Sequence, residues 1–85
     1  MLHLYLLQQD ESTGYDTYDS MVVVAVAEEE AKRIHPSGKI GDFPEINRTY
    51  LTWASSPDHV QATWIGLAAT NLTAGEIVCA SFNAG

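Results

Sequence analysis

The sequence predicts a small α+β domain: an antiparallel sheet in the order strand, strand, helix, strand, strand, with one short helix packed on one face. Three observations predict it. Four short segments carry alternating or continuous apolar side chains at strand length. Between the second and third lies a segment with acids at its start and bases at its end, the polarity of a helix. Finally, 85 residues of 46% hydrophobic composition make room for one core only, so residues 1–85 are read as a single acidic domain. A chain of this size buries only about 60% of its unfolded surface, and oligomerisation would add to a marginal stability.

Residues 2–8 read as a strand, with Leu2, Leu4 and Leu6 on one face and His3, Tyr5 and Leu7 on the other, both faces partly covered. Residues 9–20 form a polar loop in which Gly14 can supply a positive φ, and its length marks it as either functional or mobile. Residues 21–27, with Val22, Val23, Val24 and Val26, are β-branched enough for a central strand. Residues 28–35 follow as a short helix with Ala27, Ala31 and Ile34 facing inward. It has two favourable i,i+4 pairs, Glu28 with Lys32 and Glu29 with Arg33, and Pro36 closes it. From 37 to 59 the signal is poor. Residues 49–53 suggest a short strand, and Ser56 before Pro57 and Asp58 suits a capped single turn. Residues 60–68 and 76–83 read as two strands joined by a turn at 70–75, a terminal hairpin.

The formal charge of −7 comes from 11 acidic against 4 basic residues, and it is unevenly spread. Asp10, Glu11, Asp16, Asp19, Glu28, Glu29 and Glu30 crowd the first third, whereas Lys32, Arg33, Lys39 and Arg48 all lie in the middle. A phosphate backbone would be repelled by the acidic part, which argues against direct nucleic-acid binding; a basic protein surface would be attracted to it. The lone Cys79, in an apolar run, is expected as a buried small hydrophobe. The N-terminus lacks the zones of a signal peptide and no apolar run reaches about 18 residues, so an intracellular protein without a membrane partner is expected. The triplets beginning at Asn47 and Asn71 are then chance matches to a glycosylation signal.

Chemistry finds little purchase. Asp10, Ser12, Asp16 and Asp19 are hard oxygen donors close in sequence, but the EF-hand spacing fails for want of a glycine in register and a bidentate Glu, and no metal is expected. His3, His35 and His59 are scattered and read as packing or surface residues. A triad assembled from Ser81 or Cys79 with His59 and Asp58 lacks a nucleophile elbow, and no phosphate-cradling glycine pattern is present. No catalytic residue and no cofactor is therefore assigned, and the chain is not expected to be an enzyme. The clearest feature is Tyr15 and Tyr18 among carboxylates. Two readings stand: rigid amphipathic anchors of a protein interface, or rings folded back onto the sheet. Trp53 and Trp64 are expected in the core or on a sheet face; exposed, they would be anchors.

The stretch Gly14-Tyr15-Asp16-Thr17-Tyr18-Asp19-Ser20, the acids Glu28, Glu29 and Glu30 with Ala31, Ile34, His35 and Pro36, and the ending from Cys79 through Ser81, Phe82 and Asn83 to Gly85 resemble small phage- and prophage-encoded proteins. The resemblance covers about a third of the chain, leaves residues 38–59 unmatched and carries no catalytic residue with it. It implies a cytoplasmic location in a bacterial host and an anti-defence role, including the anti-CRISPR type, in which small acidic proteins occupy a basic channel or docking face. On that expectation Asp10, Glu11, Asp16, Asp19, Glu28, Glu29 and Glu30 mimic nucleic-acid charge, Tyr15 and Tyr18 supply apolar contact, and the partner is a host protein with a basic surface; a homodimer is compatible. The alternatives are an oligomeric sponge for a nucleotide-like signal, with Lys32, Arg33, Lys39 and Arg48 converging on its phosphates, and a virion or housekeeping module.

Overall fold

A computed structural model describes residues 1–38 and 52–83. Its elements are β1 (His3–Gln8), β2 (Thr17–Ala25), α1 (Glu28–Ala31), a single 3-10 turn (Pro57–His59), β3 (Gln61–Leu67) and β4 (Ile77–Asn83). The four strands form one antiparallel sheet in the spatial order β3-β1-β2-β4. This is the α+β class that the patterning predicts, with the β-branched strand β2 inside the sheet as expected. The register pairs Tyr5 with Val23 and Leu7 with Met21, so the odd positions of β1 and β2 share one face. On that face Tyr5, Leu7, Met21, Val23 and Ala25 meet Ala31, Ile34, Trp53, Ala54 and Val60 in one buried cluster. Leu4, Leu6 and Val22 lie on the other face, half-buried.

The predicted terminal hairpin is wrong. β3 lies beside β1 and β4 beside β2, so the two strands occupy opposite edges of the sheet. Residues 68–76 cross the end of the sheet between them, held by Ala68 N–H to Leu2 O (3.0 Å) and Gly75 N–H to Val24 O (2.8 Å). The crossing spans three strand spacings, about 14 Å, well within the reach of nine residues. Two apolar runs flanking a turn-rich stretch look alike whether the turn is tight or passes around two intervening strands.

Four smaller expectations also change. The second strand begins at Thr17 and ends at Ala25, so the polar loop is shorter than residues 9–20 and the strand does not reach Ala27. The helix ends at Ala31, not His35. Beyond it the amides of Arg33 and Ile34 bond three residues back, to Glu30 O and Ala31 O, so the chain tightens into a turn in place of a further α-helical one. Ala31 and Ile34 face inward as expected, whereas Ala27 is exposed at the N-cap. Cys79 is exposed, because the strand that carries it lies at an edge. The expected cap at Ser56 is present: its Oγ accepts from Asp58 N–H at 3.2 Å, with Pro57 opening the turn. The strand expected at 49–53 falls mostly outside the described residues, and its last two positions, Thr52 and Trp53, lie in a bend.

Candidate functional site

The polar connection between β1 and β2 is built from inside. Gln9 is 7% exposed, and its amide braces the loop from both ends. Its Nε2 donates to Ser12 O and Tyr18 O, both at 2.7 Å, and its Oε1 accepts from Ser12 N–H at 2.8 Å. Thr17, also buried, donates through Oγ1 to Gly14 O at 2.8 Å. The turn uses left-handed backbone at Gly14 (φ 107°) and Asp16 (φ 60°), the latter a residue type that tolerates it. Asp16 N–H closes onto Asn83 O, tying the loop to the end of β4.

A second set of bonds sews the loop to residues 52–55. Tyr18 N–H donates to Thr52 O and Ser12 Oγ to Trp53 O, each at 2.8 Å. Glu11 accepts from Ser55 N–H (2.7 Å) and Ser55 Oγ (2.9 Å). The Ser55 backbone amide, then its hydroxyl, hold the Glu11 carboxyl below the usual carboxylate range. Beneath this seam the Trp53 ring is fully buried and its Nε1 meets no acceptor among the described residues, a cost set against the large apolar area of the indole.

The structure separates the sequence-predicted site residues. Asp10 and Asp19 are exposed and line one cleft of roughly 220 Å³ with Gln8, Gln9, His59 and Gln61. Asp16 and Tyr18 line another with His35 and Phe82. Tyr18 is half-buried, its ring 4.7 Å from that of Phe82, as the reading that folds it onto the sheet expects. Tyr15 takes the other course: it stands at the loop tip, 76% exposed. Glu28, Glu29 and Glu30 are exposed on α1. Glu29 shares its cleft with Lys32, Arg33 and Asp58, whereas Glu30 faces Arg33, Ala25 and Gly75 in a third place. Asp10, Glu11, Tyr15, Asp16 and Asp19 therefore belong to one braced segment and its base, and the three glutamates to a separate element interspersed with cations. Lys39 and Arg48 lie outside the described residues.

Sequence reasoning missed the brace at Gln9. Trp53 and Trp64 divide: Trp53 is core, while Trp64 is 56% exposed on β3, its Nε1 donating to His3 Nδ1 at 3.0 Å. Exposed Ile65 and Leu67 flank it. Of the other histidines, His35 is buried, its Nδ1 accepting from Ser37 N–H at 3.0 Å, and His59 is exposed. Among the described residues no three His, Cys, Asp or Glu side chains gather as metal ligands, and no helix is long and apolar enough to cross a membrane. The chain matches no family model, no curated protein and no solved structure.

Proposed function

We propose that the chain is a non-enzymatic, phage-type inhibitor that binds a basic surface of a host defence protein, of the nucleic-acid-binding or CRISPR-like kind, through the loop between β1 and β2. The observation that carries this reading is the braced loop itself. A buried glutamine and nine hydrogen bonds named above fix a segment whose outer side offers Tyr15 and the carboxylates of Asp10, Asp16 and Asp19. Order of this kind lowers the entropy cost of binding, and an exposed tyrosine on a segment that also carries carboxylates suits a basic partner with an apolar pocket. In this reading Tyr15 is the anchor, Tyr18 supports the loop from inside, and Glu28, Glu29 and Glu30 contribute only long-range attraction. The alternative of a nucleotide sponge gains nothing from Lys32 and Arg33, which line their cleft beside Glu29 and Asp58.

The test is retention of host protein from nuclease-treated lysate on immobilised chain at low salt, with elution at high salt, compared with Asp10→Lys/Asp19→Lys and Tyr15→Ala. The reading expects one predominant nucleic-acid-binding protein, retained at least tenfold less by either variant. Retention by both variants equal to that of the wild type, with unchanged circular dichroism, would refute it.

A further inference from the structure

We infer that the free edge of β3 takes an extended segment of a basic protein as a fifth strand; this rests on the reading above and names the element of the partner that the chain recognises. β3 is an outer strand of the sheet and carries no charged residue and no proline, two of the usual guards of an open edge. Three exposed large apolar side chains stand on it: Trp64 and Leu67, each 56% exposed, and Ile65, 48% exposed. The Trp64 indole is held in place, since its Nε1 donates to His3 Nδ1 at 3.0 Å and the two rings meet edge to face at 6.2 Å. The other edge, β4, is also uncharged, but its exposed large apolar side chains are only Val78 and Phe82, and the Phe82 ring already lies 4.7 Å from that of Tyr18.

Register and charge select the occupant. Residues 61–64 pair with Gln8, Leu7, Leu6 and Tyr5 in unbroken register, and Ile65 is then passed over between Trp64 and Gly66. That irregularity limits an added strand to about four regularly paired residues, enough for a short segment and too few for an open ladder of copies. A second copy is opposed further by its own charge of −7, whereas a basic segment is attracted. The attraction is directed to one end of the strand. Gln61 lines the cleft of Asp10 and Asp19, whose other lining residues, Gln8, Gln9 and His59, include no lysine or arginine. Leu67 stands at the far end of β3, about 20 Å away at the rise of a strand. The segment that fits is therefore about seven residues long. It carries lysine or arginine at the end beside Asp10 and Asp19, and β-branched or aromatic side chains along Trp64, Ile65 and Leu67. Main-chain hydrogen bonds to the open edge supply affinity, and the side chains supply the choice of partner.

The probe is a display library of random peptides about eight residues long, selected on the immobilised chain, with one enriched peptide then synthesised and titrated. Enriched sequences are expected to join a basic end to alternating β-branched or aromatic residues. The titration is expected to shift the amide resonances of residues 61–64 and the emission of Trp64. Methylating alternate backbone nitrogens of the peptide should weaken binding about tenfold, as the loss of one or two backbone hydrogen bonds requires. Glutamate in place of its basic residue, or Ile65→Lys/Leu67→Lys in the chain, should also weaken it, and Tyr15→Ala should not. No enrichment, equal binding of the methylated peptide, or amide shifts centred on β4 or on the Tyr15 loop overturns the proposal, and the methylated peptide decides should the lysine variant fail to fold. The two readings fail separately: a bound peptide with no host protein retained counts against the loop alone, and a retained host protein with no peptide enriched counts against the β3 edge alone.

Discussion

Replacing Gln9 by alanine should loosen the loop that carries Tyr15 and destabilise the whole domain. The side chain makes three short hydrogen bonds, two from Nε2 and one to Oε1, and is almost wholly buried. At about 1 kcal/mol net each they sum to about 3 kcal/mol; the partners are only part-buried and regain some water, which leaves about 2–3 kcal/mol. For a domain of this size each kcal/mol lowers Tm by about 4–8 °C, so a fall of about 10–20 °C is expected. Urea and thermal unfolding followed by circular dichroism measure it, with Thr13→Ala, an exposed neighbour in the same loop, as the control within about 0.5 kcal/mol of wild type. Amide exchange at Ser12, whose N–H loses its acceptor, should accelerate. A Gln9→Ala variant as stable as the control would show that the loop is not held by this brace and would remove the order on which the binding proposal relies.

Three further outcomes follow from the same geometry. The Glu11 carboxyl is held below its unfolded pKa by Ser55, so it contributes stability above the unfolded value that is lost as pH falls through the folded one. Glu11→Gln should therefore be less stable than wild type at neutral pH, with the gap closing in acid; a gap independent of pH across urea titrations would contradict the bond. Acrylamide should quench Trp64 and spare Trp53, so Trp64→Phe should abolish most of the quenchable emission, and quenching unchanged in that variant would place Trp53 at the surface. Leu7→Ala, in the centre of the core, should cost about 2–5 kcal/mol in urea unfolding. The half-exposed Val26→Ala should stay within about 0.5 kcal/mol, and similar costs at both positions would mean that the core lies elsewhere.

Local physics made much of the fold legible. Alternation in β1, the valine run of β2 and the Ser56-Pro57 cap are properties of neighbouring residues, and each appears where the pattern places it. What the pattern could not carry is pairing. Whether β3 and β4 meet is decided by the apolar positions of β1 and β2, which already pair with each other and leave one free edge each. Cys79 followed the same error: an apolar run implies burial only if its strand lies inside the sheet, and nothing within Ile77–Asn83 says which place it takes. The helix is shorter than its charge pattern implies: acids and bases fit an i,i+4 ladder over residues 28–35, while Ile34 and His35 are drawn into the core by a tighter turn.

The site was legible in composition and not in geometry. Tyr15 and Tyr18 are three residues apart with similar neighbours, yet one stands at the loop tip and the other packs on Phe82, because Tyr18 already belongs to β2 and Tyr15 precedes the left-handed Asp16. The residue that organises the loop is Gln9, whose polar side chain carries no signal of burial; its partners are a carbonyl nine residues on and both backbone groups of Ser12, which only the closed loop brings together. The loop is acidic and preorganised, so added salt should weaken what it binds.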